Sequence, residues 1–312
     1  MGSLAIWAQK RDMNIQKAET EVHVNFFIDY NRKDKPMLDF GLKVKNVDEL
    51  SAIYLYIPYT LPECVIQDLG EILSNKKEVL NALFNENFEV KNINIPKYSE
   101  VQKEEHTAFY IYSLDVAHDI DLSFDYDGTI LKIIPGNLPE KVQNADIYYR
   151  FRITDRVLEN IKVNIKQKDA VLLSTVVRQS FIDFRFNDYK SLNQSLLELI
   201  NDKENVPVKL SKLHFLLVTR ADVNVDSAEA HTERALETDI WGQYFNNMSK
   251  PLMVANHWKR KPKAGEYVDN AIIYVKFREN ICSWGTICTY LLALGALSII
   301  FNLLTEAICQ LF

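Results

Sequence analysis

Tyr148, Arg150 and Arg152 fall at every second position, with Ile147, Tyr149 and Phe151 between them. In a strand this alternation sends two guanidiniums and a phenol to one face and the apolar side chains to the other. Lys162, Lys166 and Lys168 repeat the arrangement opposite Ile161, Val163 and Ile165. Cationic groups neutralise phosphates and a tyrosine ring stacks on a base, so two such strands side by side predict a groove for a nucleotide or single-stranded DNA. The competing expectation is an ordinary solvated sheet face. In both readings these basic side chains meet solvent.

Other chemistry is harder to assemble. Asp115, His118, Asp119 and Asp121 are chemically apt for a divalent cation, but strand alternation aligns only Asp119 and Asp121, which predicts an acidic solvated face instead. His23, His106, His214, His231 and His257 are scattered, and neither His-Glu-x-x-His nor Cys-x-x-Cys occurs. Gly-rich phosphate loops and Gly-x-Ser-x-Gly are absent too. The expectation is a chain with no catalytic residue, metal or cofactor.

One motif argues otherwise. Phe124-Asp125-Tyr126-Asp127-Gly128-Thr129 resembles the nucleophile motif of haloacid-dehalogenase-type phosphatases, and the resemblance implies Asp125 attacking phosphorus and Asp127 serving as acid and base. That motif should follow a fully buried parallel strand. Here Ile120, Leu122, Phe124 and Tyr126 alternate with Asp119, Asp121, Ser123 and Asp125, the pattern of a half-exposed antiparallel strand. Asp127-Gly128 then predicts a two-residue turn into Thr129–Ile134. No later pair of acidic residues is placed to hold Mg²⁺. A hairpin is the stronger expectation.

Strands are predicted near Glu21–Tyr30, Met37–Lys45, Ala52–Pro58, Asn87–Asn94, Thr107–Leu114, Asp119–Tyr126, Thr129–Ile134, Asp146–Thr154, Ile161–Lys166, Phe181–Asn187, Lys209–Arg220 and Val268–Arg278. Helical spacing marks Leu61–Phe84, broken near Ser74-Asn75, and also Ser191–Asp202 and Ala228–Asn247. The pattern pauses at Gly136-Asn137-Leu138-Pro139. The expected organisation is therefore a β-rich lobe over 1–136 with a helical insertion, a second β-rich lobe over 137–280, and a C-terminal segment over 281–312. The fold class is α+β, dominated by antiparallel sheets in sandwich-like lobes.

Composition agrees. With 312 residues the chain can bury a full core, and plentiful Tyr and Phe beside scarce Gly and Pro favour aromatic-faced strands. A formal charge of -6 excludes a surface basic all over, so any nucleic-acid contact must be local. Of the four cysteines only Cys64 precedes the C-terminal segment, which predicts a reducing compartment. Leu4–Ala8 is too short for the apolar core of an export signal, and Ile6 does not fit an N-terminal acylation motif.

From Ile281 to Leu304 no ionisable side chain interrupts an apolar run long enough for a hydrocarbon core roughly 30 Å thick. Lys259, Arg260, Lys261, Lys263, Lys276 and Arg278 precede it, while Glu306 follows it. The positive-inside rule then places the large domain in the cytoplasm, hung from the inner membrane by a single pass. Trp258 and Trp284 suit the headgroup region. Cys282, Gly285, Thr289, Ala293 and Ala296 form a seam of small residues that favours homo-oligomers. Gly295, Ser298, Asn302 and Glu306 form a polar stripe costly against lipid. The alternative is that the hydroxyls bond their own helix and Glu306 sits at the interface.

This layout of cytoplasmic sensor, basic sheet face and single C-terminal span resembles the membrane effectors of bacterial anti-phage defence, among them the Hailong type. The resemblance implies a homo-oligomeric channel whose seam residues assemble the pore and whose basic face holds single-stranded DNA or a nucleotide signal. It also implies a cognate nucleotidyltransferase as partner. The rival class is a tail-anchored adaptor, in which the helix supplies location alone; a membrane-bound phosphatase is the third.

Overall fold

The computed structural model describes residues 2–11, 15, 17–28, 35–165, 177–245, 252–280 and 284–311. Among these the chain forms β1 (Ala5–Lys10), β2 (Ala18–Phe27), β3 (Met37–Val44), β4 (Leu50–Ile57), β5 (Val65–Asp68), α1 (Gly70–Asn75), α2 (Lys77–Phe84), β6 (Glu89–Asn92), β7 (Tyr98–Lys103) and β8 (His106–Tyr112). It continues through α3 (Val116–Asp119), β9 (Ile120–Ser123), β10 (Thr129–Ile133), β11 (Ile147–Thr154), β12 (Lys162–Ile165), β13 (Val177–Phe186), α4 (Gln194–Ile200) and β14 (Asn205–Arg220). It ends with β15 (Asn224–Ser227), β16 (Thr232–Ala235), α5 (Thr238–Tyr244), β17 (Met253–Arg260), β18 (Ala271–Asn280) and α6 (Trp284–Leu311). The chain is β-rich α+β, as expected, with one long apolar helix at its C-terminal end.

The strands make a 14-stranded sheet along the path β6-β7-β8-β11-β3-β2-β14-β1-β4-β10-β9, with β5, β16 and β17 paired beside it, and a 4-stranded sheet β12-β13-β18-β15. Most pairs are antiparallel; β2 with β14 and β8 with β11 are parallel. The boundary expected at 136–137 does not separate two lobes. β11 pairs with β3, β5 and β8, and β14 pairs with β1 and β2, so both halves of the chain build the large sheet.

β1 explains the apolar patch near the N-terminus. Ala5, Ile6, Trp7 and Ala8 are fully buried, because β1 lies between β14 and β4 inside the sheet. Burial on both faces removes the alternation by which a strand is read. The small sheet keeps that alternation: in β18, Ala271, Ile273, Val275 and Phe277 face the core while Ile272 and Tyr274 face outward. Phe184 of β13 stacks on Phe215 of β14 at 4.1 Å, joining the two sheets in a shared core.

The Asp125–Thr129 segment is a hairpin between β9 and β10, with Ile130 opposite Ser123. Its turn centres on Tyr126 and Asp127, at φ 57° and 59°, one residue earlier than expected. Two positive φ values in succession are the mark of the type I′ turn that matches strand twist. The antiparallel pairing is not the setting in which the phosphatase motif works.

α6 contains one span, Trp284–Gln310, long and apolar enough to cross a membrane. None of it is buried against the rest of the chain. Twenty-eight residues at about 1.5 Å each reach about 42 Å, beyond a hydrocarbon core of roughly 30 Å. Cys282 lies outside the described residues. Thr289 donates to the Gly285 carbonyl at 2.8 Å, and Thr305 does the same to Phe301. Trp284 is exposed, as a headgroup residue must be, whereas Trp258 is buried, its indole N–H donating to Ser227 at 3.2 Å. Trp258 is therefore a core residue and not an interfacial anchor.

Candidate functional site

Five neighbouring strands, in the order β17-β14-β2-β3-β11, present one polar face of the large sheet. Register fixes its rows. Lys212, Glu21, Lys43 and Tyr148 stand opposite one another across β14, β2, β3 and β11. In the next row stand Lys259, His214, His23, Gly41 and Arg150, and beyond it His257, Leu216, Asn25, Asp39 and Arg152. A register shift in β14 between Leu210 and Lys212 brings Lys212 and His214 onto this face beside Glu21 and His23. A bulge re-aims side chains in this way, often beside functional sites.

The β11 half of the face is sealed. Tyr148, Arg150 and Arg152 are 0%, 0% and 2% exposed, so the solvated basic groove expected on these residues does not exist. Arg152 forks onto Asp39 through Nε at 2.7 Å and Nη2 at 2.9 Å. The Tyr244 hydroxyl, carried by α5, donates to Asp39 at 2.8 Å and accepts from Arg150 Nε and Nη2 at 3.0 and 2.8 Å. Burial alone would raise the Asp39 carboxyl, but the two guanidiniums outweigh it and hold the group below its ordinary value. A desolvated charge survives only when so surrounded.

Gly41 makes the room. A Cβ there would overlap the Tyr148 hydroxyl and lie 2.7 Å from Arg150 Nη1. Of the lysines expected to join this groove, Lys162 pairs with Glu279 at 3.6 Å on the small sheet, away from β11. Lys166 and Lys168 lie outside the described residues.

Towards β14 and β17 the same face opens into a cleft of about 580 Å³, walled by Phe84 of α2, Trp241 of α5, Arg234 and Lys259. Its volume is that of a small-molecule site. At its floor His23 Nε2 lies 3.3 Å and His214 Nε2 3.5 Å from the same oxygen, Glu21 Oε1, while Lys212 Nζ donates to Oε2 at 2.9 Å. His214 Nδ1 meets His257 Nε2 at 2.9 Å, and these rings stack with centroids 5.1 Å apart. His23 Nδ1 meets the Tyr148 hydroxyl at 3.1 Å, which links the cleft to the sealed network.

Burial lowers all three imidazoles. His214, next to two other rings and Lys259, is pulled down to about 2; His257, near Lys259 and His23, to about 4; and His23 falls despite the opposing pull of Glu21. Burial pushes Glu21 up, yet the hydrogen bond from His23 and the Lys212 ammonium hold it well below the usual carboxylate range. At neutral pH the floor therefore combines one carboxylate with uncharged imidazoles. Such a set can ligate a divalent cation or relay a proton.

No sequence spacing marks this cluster, since Glu21 and Lys212 are 191 residues apart and His214 and His257 are 43 apart. A weaker signal was present. Glu21, His23 and Asn25 alternate with Val22, Val24 and Phe26, as Lys212 and His214 do with Leu213 and Phe215. The other candidates stay apart from it: Asp119 accepts from Lys97, from Tyr112 and from the Asp115 amide, and His118 meets Asp115 at 3.0 Å, so that group satisfies itself.

No protein-family model matches the chain, and no curated protein matches its sequence. Among solved structures, an M1 zinc metallopeptidase from Deinococcus radiodurans aligns with 88% of this chain and 42% of its own, at 7% identity and a TM-score of 0.23. Its E323A mutant bound to a Tyr-Ser-Ala substrate aligns with 86% and 43%, at 7% identity and 0.22. The chain thus spans less than half the length of either structure, and backbone similarity this low carries neither fold nor function across.

Proposed function

We propose that the protein is a membrane-anchored sensor whose cleft takes a small ligand and whose C-terminal helices assemble between copies as a ligand-controlled pore or membrane-disrupting bundle. The observation that carries this is α6, a long and predominantly apolar helix with no part of its span buried against its own chain. Such a surface needs lipid or other helices. Lys276 and Arg278 stand just before it, which supports a cytoplasmic domain on the inner membrane. Gly285, Thr289, Ala293 and Ala296 offer close helix approach, and the Ser298, Asn302 and Glu306 stripe favours a shared polar interior over lipid.

An effector role in anti-phage defence, with a nucleotide or single-stranded DNA as signal and a nucleotidyltransferase as its supplier, is the narrower form of this reading. The cleft modifies it. With Arg150 and Arg152 sealed, the ligand site moves to the cleft, whose roughly nucleotide-sized volume and Lys212, Lys259 and Arg234 suit a small anion better than a strand. The ligand needs only to favour one arrangement of the domains to shift the attached helices.

The adaptor reading draws support from Thr289 and Thr305, whose hydroxyls are satisfied within their own helix and need no partner. Replacing 281–304 by an unrelated membrane helix separates the two. The pore reading predicts that induced expression dissipates membrane potential and that the swap abolishes this. Intact potential despite full insertion, or activity kept after the swap, overturns it.

A further inference from the structure

We infer that Glu21, His23 and His214 form a three-ligand site for a zinc-like divalent cation, with a further coordination position open to the cleft. The inference rests on reading the cleft as a ligand site, but not on assembly of the helices. The donor atoms of the three residues lie within 4.8 Å of one another. Glu21 Oε1 is 3.3 Å from one imidazole nitrogen and 3.5 Å from the other. Bonds of about 2.0–2.2 Å give a tetrahedral ligand set edges of about 3.3–3.6 Å. These two edges are already at the separation that a bound cation would impose.

Ring orientation points the same way. Both imidazoles turn Nε2 towards Glu21 and Nδ1 towards an outer partner: Tyr148 for His23 and His257 for His214. A ligating histidine is usually fixed in this manner, its second ring nitrogen held by a neighbour that sets tautomer and aim. His214 Nε2 is buried and has no hydrogen-bond partner, so one donor of the trio is left with nothing to do in the protein alone. Lys212 occupies only Oε2 and leaves Oε1 for the cation.

Chemistry narrows the choice of ion. Two imidazoles and one carboxylate suit zinc, cobalt(II) or iron(II), whereas magnesium and calcium prefer sets made of oxygen alone. The three ligands sit at the floor of the cleft, so an anionic ligand or water completes the sphere from the open side.

The test uses the full-length protein in detergent, stripped with chelator and titrated with cobalt(II), with zinc in competition. We expect one equivalent per chain, visible d–d absorption that zinc removes, and a higher unfolding temperature with zinc. His23→Gln and His214→Gln should each weaken binding by more than about 100-fold, while His257→Gln, which alters only a positioning residue, should weaken it by roughly 10- to 100-fold. If a histidine variant fails to fold, Glu21→Gln carries the same expectation. Absence of stoichiometric cobalt or zinc binding by the folded protein overturns the inference, as does unchanged affinity in the ligand variants. Loss of membrane potential on expression is read separately, so either idea can fail while the other stands.

Discussion

The two halves of one sheet face make the most instructive comparison in the molecule. Around β11 and β3, Tyr148, Arg150, Arg152 and Asp39 are roofed by α5, and their charges are spent on each other and on Tyr244. A few ångströms away, on β2, β14 and β17, the same alternation of polar and apolar residues ends in an open cleft. The strands do not differ in pattern; the roof above them does. Polar residues under a roof hold the fold together, and polar residues beside a cavity are free to meet a ligand.

The sealed half is most vulnerable at Asp39. Asp39→Ala leaves two buried guanidiniums without their anion, and removing one partner of a buried pair costs about 3–5 kcal/mol. Urea unfolding measures it; a loss under about 1 kcal/mol would mean that the network is not sealed. Next comes Gly41→Ala, where the added methyl collides with Tyr148 and Arg150. Overpacking of this kind costs about 1–3 kcal/mol in the same measurement.

Acid should loosen the cleft before the sealed half. His214 and His257 have folded-state values below the ordinary 6.5, so the unfolded chain binds more protons between that value and the folded ones. Their contribution is complete above pH 6.5 and is lost as the pH falls towards about 4 for His257 and about 2 for His214. The unfolding temperature in chelator should drop from pH 7 to pH 5, and His257→Gln should flatten the drop. A flat profile in the parent protein would contradict buried neutral imidazoles. The smallest effect is expected from Lys212→Ala. Its side chain is 41% exposed and its pair with Glu21 opens onto the cleft, so the loss should stay within about 1 kcal/mol.

Much of this architecture was legible and the roof was not. Ile147, Tyr149 and Phe151 mark β11 to within a residue, and alternation with turn residues marks the β9–β10 hairpin. β1 shows no alternation because its residues are buried on both faces. Within the helix expected over Ala228–Asn247, whose last two residues lie outside the described ones, the chain forms β16 and then the short α5, since pairing of β16 with β17 outweighs local helical spacing. Alternation alone implies a solvated Arg150 face, because it shows that a strand has two faces and is silent on what covers the second. The histidine cluster depends on which strands become neighbours, including the parallel pairing of β2 with β14, which no local spacing encodes.

Membrane anchoring requires above all that α6 reside in lipid. Alkaline carbonate extraction of membranes from cells making the full chain, beside a chain ending at Asn280, tests this directly. The full chain should remain in the pellet and the shortened one should appear in the supernatant. A full chain that washes off and stays monodisperse without detergent would contradict it.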